Sequence, residues 1–200
     1  MKINDEGFNN IIEIDDSVIL DEFSSITIKG NNNTVRIGYG TVLINAHIIM
    51  ESDNNSFIVE NNCRISGRYF QKRIDGNVIK IGEYTTFGTV HIICGEGRTV
   101  TIGRDCMLAF DISIRTTDSH AIVDANNGEQ INKGKDISIG NHVWIAAHAV
   151  LLKGTILGDN SVVGMKSLVT SRFLETGVVI AGIPAKIIKK GITWTRPELG

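Results

Sequence analysis

Proline, aromatic bulk, net charge and long apolar runs are all scarce in this 200-residue chain. It has 2 prolines, 6% aromatic residues and a formal net charge of −2. A near-neutral chain has no bulk basic field to draw nucleic acid, so no nucleic-acid partner is expected. No stretch approaches the ~18 consecutive apolar residues of a membrane span. The first ten residues lack the apolar run of a signal peptide. The three cysteines, Cys63, Cys94 and Cys106, are odd in number and lack metal-ligand spacing. They read as small buried hydrophobes of a reducing, cytoplasmic setting, and no metal site is expected.

What the chain does have is a period of six. From residue 139 an aliphatic side chain recurs at Ile139, Ile145, Leu151, Leu157, Val163 and Val169. Small residues recur at the fourth place after each anchor: Val143, Ala149, Thr155, Ser161 and Ser167. Six fits neither a helix nor a flat strand, where alternate residues share a face. It fits a short strand followed by a tight corner. Three such hexads close a triangular coil of 18 residues, with anchors and small residues pointing into the prism. Gly and Asn at the corners tolerate positive φ. One coil cannot bury its inward face alone, so coils must stack.

The same frame runs through the N-terminal half with interruptions. Ile14, Leu20 and Ile26 form one run, and Ile37, Leu43 and Ile49 a second. Val59 and Ile65 form a weaker third. Ile81, Phe87 and Ile93 form a fourth, and Ile102, Leu108 and Ile114 a fifth. This gives about eight coils and one domain over 1–200. The coils span about 11–174, followed by a C-terminal extension at 175–200. The Gly/Asn clusters at 29–35 and 94–100 read as corner bulges. Residues 66–78 read as a longer insertion carrying Arg68, Lys72 and Arg73 beside Tyr69 and Phe70, suited to an acidic glycan. Residues 171–177 read as a turn leaving the prism, and 191–200 as a cap on its open end. The largest interruption, 115–138, is a polar loop of the length that carries function.

That loop holds His120, a general base able to take a proton from a hydroxyl near neutral pH. Asp118, two residues earlier, or a backbone carbonyl could fix its tautomer. Trp144 follows the inward Val143, so it should face outward, where a ligand or partner must cover it. His142 and His148 are six apart, on different faces, and read as surface or interface residues rather than zinc ligands.

The 139–170 hexads resemble the hexapeptide-repeat acyltransferases. The TDSHAI segment, the NGEQINKGKD loop and the following ISIGNHVWI narrow the resemblance to sugar O-acetyltransferases. It is nearest the bacterial capsule enzymes acting on sialic-acid-containing polysaccharide. The resemblance implies an all-β, left-handed parallel β-helix and a homotrimer with sites between neighbouring helices. It implies acetyl-CoA as co-substrate and a sugar or polysaccharide hydroxyl as acceptor. It casts His120 as the base and Trp144 as a wall between acceptor and donor. Ala147 supplies a backbone N–H for the oxyanion, and Lys166, Thr170, Arg172 and Lys186 lie where the coenzyme binds. Two departures stand out: Ala146 where relatives often have Gly, and Ser171 where many carry Lys. N-acetylation of an amino sugar-nucleotide and a non-catalytic β-solenoid scaffold are the alternative functions.

Overall fold

The chain folds into a three-sided parallel β-prism, described for residues 1–197 by a computed structural model. The last three residues of the expected C-terminal extension lie outside the described residues. It is the left-handed β-helix of the hexapeptide-repeat proteins, and among the described residues it has no α-helix. Among the described residues no helix is therefore long and apolar enough to cross a membrane.

The first face is a ladder of eight parallel rungs. It runs from Ile11–Ile14 through Thr34–Ile37, Ser56–Val59, Val78–Ile81, Thr99–Ile102, Ile137–Ile139 and Ile156–Leu157 to Arg172–Phe173. We number the coils one to eight by these rungs. The second face carries Thr86–Phe87, Met107–Leu108, Trp144–Ile145 and Val162–Val163. The third carries Ser25–Ile28, Val90–Gly95, Ile112–Arg115, Val150–Leu152 and Leu168–Val169. The nine-residue strands Val42–Met50 and Arg64–Lys72 turn the corner between the second and third faces without ending.

Every anchor of the regular stretch is buried, from Ile139 to Val169, and so is every small fourth residue. Corners are built from stacked positive-φ residues. Between the first and second faces these are Gly40, Asn62, Tyr84, Asp105, His142, Asn160 and Gly177. Their stacking explains why the corners tolerate such varied residue types: the backbone geometry is shared even where the side chain is not glycine.

The sequence frame slips at two anchors. Ile49 and Ile93 face outward, and Ile48 and Ile92 fill the core instead. The cause is the corner between the second and third faces. Coil five places three residues between inward Leu108 and Ile112, whereas coils two and four place two, after Leu43 and Phe87. Each residue removed flips the following strand to the other face.

Residues 66–78 are not an insertion. Residues 66–72 form the third-face rung of coil three, with Tyr69 and Gln71 fully buried and Arg68, Phe70 and Lys72 facing out. Nor does the prism end at residue 170. Arg172–Phe173 is the last rung of the first face, pairing with Ile156–Leu157.

The open end is closed by an antiparallel hairpin. Ala185–Lys190 folds back on Val178–Gly182 and ends the parallel sheet with a lysine-rich edge, a common guard against edge-to-edge association. The tail beyond it does not cap the end; it runs back along the side of the prism. Trp194 stacks on His142 with ring centroids 4.2 Å apart and donates its Nε1–H to the His142 carbonyl at 2.7 Å. Arg196 donates to Asp105, Thr86 and the carbonyls of Tyr84 and Cys106. Arg196 therefore fastens the tail to coils four and five.

Candidate active site

The long interruption is an arm rooted on the edge between the third and first faces. Its limbs pair through Val123 and Gln130, and Ile131 N–H donates to the Ile122 carbonyl at 2.9 Å. Glu96, on the coil below, clamps both limbs at the base. It accepts from the Thr117 hydroxyl and from Gly134 N–H. Burial would raise the Glu96 carboxyl, but those two hydrogen bonds and the nearby Lys153 charge outweigh it and hold it below its ordinary value.

Lys153 is the second root. Its ammonium donates to Asp118 and to the Asn132 carbonyl. Asn132 Nδ2 donates to Asp118 at 2.9 Å and to the His120 carbonyl at 2.8 Å. Lys153, with burial opposing, keeps the Asp118 carboxyl below its ordinary range. This arrangement differs from a histidine–aspartate pair. Asp118 acts on His120 through Asn132 and the backbone, and among the described residues it makes no bond to the imidazole. His120 itself is exposed.

Lys153 also lines a cleft of about 420 Å³ with Lys135, Asp136, Gly154, Ile156, Thr170, Ser171 and Arg172. Thr170 and Arg172 were expected in a coenzyme site. Lys135 and Lys153 were missed because no motif joins them to the C-terminal basic residues; stacking of successive coils brings them to the cleft. Asp136 accepts from Thr99 N–H at 2.9 Å, and Lys153 is paired with Asp118. Among the described residues Lys135 and Arg172 have no carboxylate partner, so the cleft presents cations suited to phosphate.

The other expected site residues lie elsewhere on the prism. Ala147 and Lys166 stack at the edge between the second and third faces, where Lys166 N–H donates to the Ala147 carbonyl at 3.0 Å. Among the described residues no acceptor takes the Ala147 N–H. Lys186 is exposed on the terminal hairpin. Trp144 faces outward on the second face, half-buried, with its ring 6.3 Å from Trp194. Around it the second face is flat and apolar: Met107 and Val162 flank it in register, and Ala109, Ala146, Gly164 and Ala181 follow. A Cβ at Gly164 would sit 2.9 Å from that of Ala181. Phe110, Met165 and Ile183 stand exposed near its edge, and Ile122, Val123 and Ile131 stand exposed on the arm.

His142 lies beneath the tail, its two ring nitrogens 2.7 Å from Asp105 and 2.9 Å from the Trp194 carbonyl. His148 is exposed, 3.6 Å from Asp111. Burial pushes the Cys63 and Cys106 thiols up to about 11 and Cys94 to about 12. Such thiols are un-ionised near neutrality and make poor nucleophiles.

Residues 136–171 match the bacterial transferase hexapeptide family (six repeats). A polysialic acid O-acetyltransferase of Neisseria meningitidis is 37% identical over 128 residues, 64% of this chain and 59% of the relative. One of Escherichia coli O1:K1 / APEC is 35% identical over 140 residues, 70% of this chain and 45% of the relative. The aligned region thus spans about half the length of these curated relatives. The crystal structure of the polysialic acid O-acetyltransferase OatWY superposes with a TM-score of 0.90 and 35% identity, covering 100% of this chain and 93% of the other. That of the polysialic acid-specific acetyltransferase NeuO gives 0.84 and 30%, covering 99% and 90%.

Proposed function

This chain belongs to the hexapeptide-repeat acetyltransferases, and we propose that it moves an acetyl group from acetyl-CoA to a hydroxyl of a sialic-acid-containing capsule polysaccharide or its precursor. One observation carries the reading. A doubly rooted arm holds an exposed imidazole next to a basic cleft, and a single residue, Lys153, belongs to both.

The cleft fits a polyanionic donor. Arg172 and Lys135 meet its phosphates, and the Thr170 and Ser171 hydroxyls add donors. Acetyl-CoA supplies the acetyl thioester. His120 takes the proton from the acceptor hydroxyl as its oxygen attacks the thioester carbonyl. The thiolate leaves and is protonated, and the sugar ester remains. Charge building on the carbonyl oxygen is met by the Ala147 N–H. No protein nucleophile is used, in keeping with the raised thiols.

The working unit we propose is a homotrimer. By strand order the arm and cleft lie on one edge of the prism, whereas Ala147 and Trp144 lie on another edge and face. Packing the flat second face against a neighbour's arm brings the two sets together and covers Phe110, Met165, Ile122 and Ile131. The unpaired buried cysteines suit a cytoplasmic location.

The test is thiol release from acetyl-CoA with sialic acid polymers, comparing wild type and His120→Ala. Loss of the general base should lower kcat by about 10²- to 10⁴-fold with coenzyme binding retained. Undiminished turnover in the variant sinks the assigned role of His120. Absence of coenzyme binding in calorimetry sinks the transferase reading.

A further inference from the structure

We infer that the third face below the arm is a binding strip for the acidic polysaccharide, holding the polymer beyond the sugar that reacts. This rests on the acetyl-transfer reading for the identity of the polymer, but the strip is argued from its own residues.

Parallel pairing aligns the outward side chains of this face in columns. One column runs Ser25, His47, Arg68, His91 and Ser113. The next runs Thr27, Ile49, Phe70, Ile93 and Arg115. Arg68 is exposed, with an imidazole on the rung above and on the rung below. Ser25, Thr27, His47, Ile49, Arg68 and Phe70 enclose a hollow of about 240 Å³.

Three features make this strip different from an ordinary solvated face. The first is charge. None of the strand residues in these two columns is acidic, and among the described residues neither Arg68 nor Arg115 has a carboxylate within salt-bridge distance. On the first face, by contrast, Arg36 pairs with Glu13 and Lys80 with Glu60, and only the last rung carries an unpaired cation, Arg172, among the described residues. The carboxylates that follow or precede these columns lie one place further on, Glu51 two residues beyond Ile49 and Asp111 two residues before Ser113, while Asp118, near Arg115, is bound to Lys153.

The second is the apolar neighbour. Phe70 is half-buried beside Arg68, flanked by Ile49 and Ile93, with the Lys72 ammonium 5.6 Å from its ring centre. A guanidinium beside an aromatic ring suits a sugar that carries a carboxylate on one side and an aliphatic C–H face on the other. The third is continuity with the proposed site. Arg115 ends the strip and donates to the Ser119 hydroxyl at 3.2 Å, one residue before His120. Rungs stack ~4.8 Å apart, so Arg115 and Arg68 lie about 10 Å apart along the prism. A single polymer can therefore occupy both the His120 site and the strip.

The experiment uses Arg68→Glu and Phe70→Ala in the full chain, with folding checked by thermal melting. Steady-state turnover is measured with long polysialic acid and with a sialic acid trimer. Binding of the same polymer, with uncharged dextran as control, is measured by calorimetry without acetyl-CoA. Arg68→Glu should raise KM for the long polymer at least about tenfold while leaving kcat and the trimer KM within about twofold. Phe70→Ala should act in the same direction, more weakly. Polymer KM unchanged in Arg68→Glu overturns the strip and leaves the transferase intact. If the wild type turns over neither acceptor, the proposed acceptor fails independently, and binding alone decides the strip. Polymer binding lost in Arg68→Glu supports it; binding that is absent, or equal in both proteins, overturns it.

Discussion

The two halves of the prism solve one packing problem differently. In coils two to four, successive turns are 22 residues apart, and an asparagine ladder fills the corner between the third and first faces. Asn55 Nδ2 donates to Asn33 Oδ1 at 2.9 Å, and Asn77 Nδ2 donates to Asn55 Oδ1 at 2.8 Å, each partner 22 residues away. The ladder also binds backbone: Asn55 Oδ1 accepts from Asn77 N–H, and Asn77 Oδ1 from Gly97 N–H. From coil six to coil seven the turn shortens to 18 residues, and the equivalent corner is closed by Thr155. Its single hydroxyl proton is shared between the Leu152 carbonyl at 2.7 Å and the Val169 carbonyl at 3.1 Å. A long corner exposes more inward backbone groups and requires an amide to satisfy them. A short corner requires only a hydroxyl. The arm sits where the two regimes meet.

That contrast gives graded expectations. Asn55→Ala should be the most damaging, because it leaves the Asn77 amide, the Asn77 N–H and the Ser52 carbonyl without their partner in a buried site. Each stranded group costs about 1–3 kcal/mol, so a total of at least about 3 kcal/mol is expected in denaturant unfolding. A loss below that of Thr155→Val would show that the ladder is dispensable and that core packing alone sets the N-terminal coils.

At the junction the test is pH. The Glu96 carboxyl is held below its ordinary value of 4.5 by its clamp on the arm. Its contribution is fully present above that value and disappears as pH falls through the lower folded value. Protection of the arm against limited proteolysis should therefore decline in acid below about 4.5 before the core strands unfold. Glu96→Gln should show reduced protection at neutral pH and lose this acid step. An arm equally protected in the variant would place its anchoring on Lys153 instead. The smallest effect is expected for Thr155→Val, which removes one shared hydroxyl donation without emptying space. About 1–2 kcal/mol in unfolding is expected there, and a larger value would put the short corner on a par with the ladder.

The C-terminal coils were legible in the sequence because their corners are equal in length, so one frame predicts every inward residue from Ile139 to Val169. The N-terminal coils were partly legible. Their corner clusters repeat as faithfully, at Asn33, Asn55 and Asn77, but with a period of 22 that a search in sixes reads as interruption. The outward direction of Trp144 was also readable, from Val143 beside it. The roles of Lys153 and Glu96 were not, since each meets the arm through stacking of coils rather than through sequence proximity, and Lys135, within the arm, meets the cleft residues of later coils in the same way. The tail was misplaced for the same reason. Trp194 and Arg196 find partners 52 and 90 or more residues away, on the side of the prism.

By itself, then, the sequence determined the solenoid, its inward face in the regular coils, and the arm bearing His120. Periodicity does this because burial acts locally, residue by residue, on a repeating backbone. Only the tertiary structure decided which edge each polar group occupies: Asp118 on Lys153 rather than on the imidazole, and Arg68 between two histidines on an outward column. Those placements depend on the length of every preceding corner, and one residue more or less turns a strand over.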